Sequence, residues 1–218
     1  MSKKLLIEEK TKEILKFLKI SKKPNCVSEE LDIAIRLYKY VFQNINLDLS
    51  YKVPKADSKS EFYANALYQA LESNPGLPDT NAVEFKHLLD MAKFENYLVA
   101  LKVNNTGNQK IANLVKIGTE FHYFDISLEY ELHQSCKAKD DMLYYAGLGR
   151  EEYERAFTPV AVLKDFSNPE NNKLPSNIAE ESFGIPIIYD ISRRYPNLRM
   201  KSNATKKGKK QEQNEPEL

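Results

Sequence analysis

The spacing of apolar residues changes once along the chain, near Asn96, and this change constrains the fold more than any other feature of the sequence. Before it, apolar residues recur at helical intervals in segments that begin at Ser28, Ser58 and Pro78. After it come three stretches rich in β-branched and aromatic residues, NYLVALKV, KIANLVKI and EFHYFDIS. The joints between them are short enough for hairpins. Helices followed by antiparallel strands predict an α+β fold, with the helices packed on the sheet.

The two ends of the chain differ from this middle part. Residues 1–24 place lysines around an apolar stripe, which predicts an N-terminal amphipathic helix that acts as an arm or as a packing helix. A chain of 218 residues has room for one sizeable core. We therefore expect one domain over residues 25–199, with a C-terminal extension from about 139. The polar residues 200–218 lack apolar periodicity and are predicted to be a disordered tail.

The region after Ser127 has a weaker pattern. A helix is expected near 128–134, a turn at 147–149, a short helix over 151–157, a strand in PVAVL, and another short helix over 176–183. Several tyrosines and phenylalanines lie between Tyr144 and Phe166. They are consistent with a recognition surface and equally with core packing.

The charge balance excludes several functional classes. Thirty-two Lys and Arg against thirty-one Asp and Glu give a net charge of +1, so no overall field attracts nucleic acid. No apolar run approaches the roughly 20 residues that span a bilayer, and the expected location is cytoplasmic. The glycine-rich patterns that bind nucleotides are absent from the sequence, and no cofactor is expected. Cys26 and Cys136 are expected to be free thiols.

Three consecutive segments carry a resemblance to a known family. Residues 78–89, PDTNAVEFKHLL, are similar to the pattern C-x-G-Y-A-x-A-F-x-x-L-L. Residues 110–113, KIAN, are similar to H-A-W-N, and Asp125 follows Asn113 by 12 positions. In this order and spacing the chain resembles the transglutaminase-like branch of the papain-like cysteine protease superfamily, over a little under half of its length. The resemblance implies a bacterial protein with a transglutaminase-like core.

The residues that the family needs for its chemistry are missing. The family's catalytic cysteine corresponds to Pro78 and its histidine to Lys110, while the aspartate corresponds to Asp125. Without a cysteine and a histidine at these positions, the nucleophile and the base of the family's reaction are missing. The resemblance therefore implies a degenerate, catalytically inactive member that binds a protein or peptide. The expected cleft lies near those three positions and includes Asp79, Thr80, Asn113 and His122.

Each of these residues also has a structural interpretation. Asp125 is a relic of the triad, or it accepts backbone N–H groups or pairs with Lys110. Lys110 binds an anionic group of a partner, or it is a solvated lysine that protects a strand edge. Thr80 is an alternative nucleophile or a helix cap. His122 lies three residues before Asp125, which places the two on opposite faces of a strand.

Two other functions remain open at this point. One is an enzyme of different chemistry that uses Asp125 with Lys110, His122 or Glu84 as acid and base. The other is an assembly subunit that works through its N-terminal helix. No metal site is expected, because His133 and Cys136 supply only two ligands. The sequence does not define the oligomeric state.

Overall fold

The computed structural model describes residues 3–21, 23–45, 59–71, 78–135, 142–163, 172–183 and 187–188, without the side chains of 59–62, 78–79 and 187–188. The predicted disordered tail, 200–218, and Cys136 lie outside the described residues. Four helices precede the first three strands, as the sequence indicates, and the fold class is α+β. The helices are α1 (Lys3–Phe17), α2 (Val27–Gln43), α3 (Lys59–Leu71), α4 (Pro78–Met91), α5 (Ile126–Gln134) and α6 (Arg150–Tyr153).

Five strands form the main sheet, in the order β5-β3-β2-β1-β6, and every pairing is antiparallel. β2 is therefore the central strand. The strands β4 and β7 pair with each other in a separate two-stranded sheet. The strands are β1 (Asn96–Val103), β2 (Gln109–Ile117), β3 (Glu120–Phe124), β4 (Met142–Leu143), β5 (Ala146–Leu148), β6 (Phe157–Val162) and β7 (Ile187–Ile188).

The two faces of the main sheet bury separate apolar clusters. On one face, Val115 and Phe124 pack with apolar residues of α1 to α4. On the other, Leu114 and Tyr123 pack with Tyr153 and with residues of β6. Because side chains alternate along a strand, β2 divides its residues between these faces. Ile111, Asn113 and Val115 point to the helices, and Lys110, Ala112, Leu114 and Lys116 share the opposite face.

The N-terminal helix is a packing helix and not a free arm. Ile7 and Ile14 of α1 are buried in the same cluster as residues of α2 and α4. Thr11 joins α1 to α4, since its hydroxyl lies 3.0 Å from His87 Nε2. The helix ends earlier than residue 24, at Phe17. Within the described residues, no helix combines the length and the apolar character needed to cross a membrane.

Two local expectations for the C-terminal half are wrong. Residues 147–149 were expected to be a turn, but Gly147 and Leu148 belong to β5, because Ala146 and Leu148 pair with the outer edge of β3. Residues 176–183 were expected to form a short helix. Instead, residues 172–183 form a strap along the edge of β3 and β5, in which Phe121 N–H donates to the Asn177 carbonyl (2.9 Å) and Ala179 N–H to the Phe121 carbonyl (2.9 Å).

Gly149 allows the strap to approach this closely. A Cβ at this position would collide with the backbone of Glu180 and Glu181. The strap is also tied to the start of α6, where Arg150 N–H donates to the Ala179 carbonyl at 2.9 Å. These backbone hydrogen bonds between residues distant in sequence replace the local helical hydrogen bonds that the sequence pattern suggested.

Candidate functional site

Lys110 and Asp125 come together at one end of the sheet, on the face opposite the helices. Lys110 Nζ lies 2.6 Å from Asp125 Oδ2, and the Lys110 side chain is only 15% exposed. The same ammonium lies 4.9 Å from the centre of the Phe157 ring. An ion pair that is almost excluded from water is held by its geometry and by further hydrogen bonds, since desolvation opposes it.

Asp125 is fully buried and engages four donors. Its Oδ2 accepts from the Tyr153 hydroxyl as well as from Lys110. Its Oδ1 accepts from the Ser127 hydroxyl at 2.8 Å and from Leu128 N–H at 3.2 Å, so Asp125 is the N-cap of α5. A carboxylate offers about four lone-pair positions. All of them are used, and none is left to remove a proton from a substrate.

We call Lys110, Asp125 and Tyr153 the closed trio. Burial, followed by the charge of Asp125, raises the pKa of Tyr153 well above its usual value. The Tyr153 ring stacks on Tyr123, with centroids 4.4 Å apart, and packs against Phe157 at 4.8 Å. This aromatic layer keeps the trio dry and holds the tyrosine in its protonated form, as a hydrogen-bond donor.

The structure excludes one interpretation of Lys110 and shows both structural contacts that were expected of Asp125. Lys110 is not a solvated edge lysine, because β2 is the central strand and its side chain is paired. Asp125 acts both as an acceptor for a backbone N–H group and as the partner of Lys110. The sequence alone left the interpretations of both residues open, because the order of strands in a sheet is a property of the tertiary structure.

The other residues of the expected cleft lie on the helical side. The Asn113 amide donates to the Ala82 carbonyl at 3.0 Å and thereby ties β2 to the first turns of α4. Thr80 is buried within the first turn of α4, which begins at Pro78 as the sequence predicts. The sheet therefore stands between Asn113 and the closed trio. The side chains of Pro78 and Asp79 lie outside the described residues.

His122 does not join Asp125. It faces Val115 on the neighbouring strand, on the helical face. Its ring packs against Phe183, with centroids 4.0 Å apart, and Nδ1 is buried without a hydrogen-bond partner in the described part of the chain. Burial lowers the pKa of His122 to about 4, so the ring is neutral at physiological pH.

Glu84 is buried in α4, among the residues that pack on the helical face. Burial raises its pKa to about 8, which means that the neutral acid dominates at pH 7. Such a shift is typical of catalytic acids. Here, however, Glu84 belongs to the helical layer and the closed trio to the other face, so the two do not form one acid–base pair.

A second trio lies at the opposite end of β2 and was not predicted. Lys116 Nζ lies 2.8 Å from Glu95 Oε2, and the Tyr97 hydroxyl donates to Glu95 Oε1 at 3.0 Å. We call Lys116, Glu95 and Tyr97 the open trio, because the Lys116 and Glu95 side chains are 33% and 48% exposed. The even spacing of Lys110 and Lys116 places both on one face of β2, and this was the signal available in the sequence.

A groove of about 280 Å³ opens beside this trio, between the sheet and the strap. Its floor contains Tyr97 and Phe121, whose rings are 5.4 Å apart, and Val162 of β6. The strap contributes Lys173, Pro175, Ser176 and Asn177. Aromatic rings combined with a few charged and polar groups are the usual lining of a recognition site.

No family model matches this chain, and a search of curated proteins finds no significant match. The described residues contain no group of three or more His, Cys, Asp or Glu side chains placed to hold a metal ion.

Proposed function

We propose that this protein is a non-catalytic module that binds an extended segment of another protein. The groove between the sheet and the strap is the observation that carries the proposal. It is open to solvent, it has an aromatic floor, and charged groups line its rim. Aromatic side chains supply large contact areas at a small entropic cost, which suits them to polypeptide recognition.

The size of the groove supports a polypeptide ligand. Cofactor and drug-sized ligands occupy pockets of roughly 300–1,000 Å³, and this groove, at about 280 Å³, is at the lower limit of that range. It can accept one or two side chains of a longer chain that continues over the surface.

The closed trio supports the non-catalytic part of the proposal. In a degenerate transglutaminase-like protein, Lys110 and Asp125 occupy two of the three triad positions. Lys110 and Asp125 contact each other. The other acceptor positions of Asp125 are occupied by Tyr153, Ser127 and the N-terminus of α5. In this arrangement the remnant of the triad stabilises the fold and takes no part in a reaction.

A selection from a displayed library of random peptides tests the binding function. Selected peptides are then measured against two variants, Ser176→Tyr, which fills the groove, and Asn105→Tyr, a matched change in an exposed turn. We expect the peptides to bind the wild type and Asn105→Tyr and to lose binding to Ser176→Tyr. A library that yields no binder, or binders unaffected by Ser176→Tyr, contradicts the proposal.

An assay for transamidation and peptide hydrolysis tests the absence of chemistry. We expect no incorporation of a labelled amine into a glutamine peptide and no cleavage by the wild-type protein. Turnover that Lys110→Met abolishes in a folded protein would favour the alternative, an enzyme that uses Asp125 with Lys110. Circular dichroism of the variant establishes that it is folded.

Assembly through the N-terminal helix is the second candidate function, and the exposure of two apolar side chains of α1 favours it. The apolar face of α1 is used within the chain, while Leu5 and Phe17 are each 51% exposed. Removal of residues 1–24 would open the core, so Leu5→Ser and Phe17→Ser are the sharper variants. A change in sedimentation of these variants would support assembly through α1.

A further inference from the structure

The charges around the groove define which polypeptide fits it. Two lysines, Lys116 and Lys173, and one carboxylate, Glu95, line the groove. Glu95 is already paired with Lys116, whereas Lys173 is exposed and makes no ion pair within the described part of the chain. Among the described residues that line the groove, positive charge therefore exceeds negative charge by one.

Polar donors lie next to this excess charge. Ser176 is exposed on the strap, three residues after Lys173, and lines the same groove. The Asn177 amide is held in place because it donates to the Thr119 carbonyl at 2.5 Å. An ammonium and a hydroxyl on one rim form a suitable pair of donors for a carboxylate.

The apolar floor lies directly below the charged rim. Phe121 is 2% exposed and forms part of the sheet's apolar cluster, so its ring is fixed by packing. Lys116 Nζ lies 5.8 Å from the centre of that ring, which lines the groove. A side chain that enters here packs mainly on the partly exposed Tyr97, beside the Phe121 and Val162 side chains, which are each 2% exposed.

We propose that the groove binds a polypeptide segment in which an Asp or Glu is adjacent to an aromatic or large aliphatic residue. The carboxylate contacts Lys173 and Ser176, and the apolar side chain packs on Tyr97 and Phe121. This inference rests on the proposed binding function and names the chemistry of its ligand. Charge complementarity selects an acidic segment over a basic one, because a basic residue would have to displace Lys116 from Glu95.

Titration of three capped peptides, followed by the amide resonances of Lys116, Phe121 and Asn177, tests this inference. The probes are acetyl-GSGFDGSG-amide, the same peptide with Asn in place of Asp, and the same peptide with Ala in place of Phe. We expect the first to shift these resonances with a millimolar or lower dissociation constant. An exposed charge pair contributes up to about 1 kcal/mol, which corresponds to about fivefold weaker binding of the Asn peptide.

Variants of the protein complete the test. Lys173→Glu is expected to weaken the binding of the Asp peptide and to leave the binding of the Asn peptide unchanged. The control is Lys102→Glu, which changes an exposed lysine on β1 and should alter the binding of neither peptide. Equal binding of the Asp and Asn peptides in the groove overturns the acidic preference and leaves the binding function intact. Sodium benzoate that shifts the same resonances as strongly as the peptide would identify a small-anion site instead, and no response to any probe contradicts the inference.

Discussion

The two ends of β2 present nearly the same set of side chains in opposite environments. At one end Lys110 pairs with Asp125 at 2.6 Å, Tyr153 donates to that carboxylate, and Phe157 lies beside the ammonium. At the other end the corresponding residues are Lys116, Glu95, Tyr97 and Phe121. The carboxylate is fully buried in the closed trio and about half exposed in the open trio.

The two ion pairs have similar distances and different exposure to water, so contact geometry alone does not determine the role of an ion pair. Water screens the open trio, and its members can exchange partners at little cost. In the closed trio Asp125 is shielded from water, so removal of one charged partner leaves the other charge buried and uncompensated. The covering elements make the difference: α6 and β6 place Tyr153 and Phe157 against the Lys110–Asp125 pair, whereas a groove opens beside the Lys116–Glu95 pair.

Replacement of the two carboxylates gives the largest expected contrast. Asp125→Ala removes the counter-ion of Lys110, the acceptor of Tyr153 and the N-cap of α5, and should lower the free energy of unfolding by about 3–5 kcal/mol. Glu95→Ala should lower it by less than about 1 kcal/mol. Urea unfolding followed by circular dichroism measures both. Similar losses in the two variants would mean that exposure does not separate the trios.

Glu84 is a buried carboxyl group for which the described residues supply no ion pair, and it extends the comparison. The pKa of Glu84 is about 8 in the folded protein, above the ordinary value of 4.5, because burial opposes its ionisation. The folded state therefore holds a proton that the unfolded state releases, and stability should fall as the pH rises from about 5 to 8. Each pKa unit corresponds to about 1.4 kcal/mol, so the fall amounts to a few kcal/mol.

The substitution Glu84→Gln isolates this effect. It should remove the fall in stability over that pH range, as measured by urea unfolding at about pH 5, 6.5 and 8. The difference between the wild type and the variant removes the contributions of other titrating groups. A variant that keeps the full slope would place the titration elsewhere.

Removal of the tyrosine hydroxyls gives the smallest contrast. Tyr153→Phe deletes one of the four donors to buried Asp125 and should cost about 1–2 kcal/mol, because hydrogen bonds to charged groups are the stronger ones. Tyr97→Phe deletes a donor to exposed Glu95, where water substitutes, and should cost at most about 0.5 kcal/mol. Thermal unfolding of both variants measures the difference, and a larger loss in Tyr97→Phe would reverse the assignment of the two environments.

Much of the fold was predictable from local patterns. The start of α4 at Pro78 and the three strands from Asn96 onwards follow from helix-starting residues and from strand composition. Residues 147–149 and 176–183 were not predictable, because their hydrogen bonds run to the edge of β3 and to the start of α6. A segment whose partners are distant in sequence carries little local signal.

The candidate sites divide in the same way. The sequence singled out Lys110 and Asp125 through a family resemblance, and it placed His122 on the opposite face from Asp125 by strand alternation. It gave no reason to notice Glu95 or Lys173, because the groove exists only where the strap returns to the sheet.

By itself, the sequence determined the order of helices and strands and the shared face of Lys110 and Lys116, because these depend on residue spacing within one element. The exposure of the two lysines depends on the tertiary structure, which leaves the Lys110 side chain 15% exposed and the Lys116 side chain 33% exposed. The order of strands in the sheet, and the elements that cover each end of β2, set the access of water to each lysine. Access of water, in turn, makes one pair a buried structural contact and weakens the charge interaction of the other.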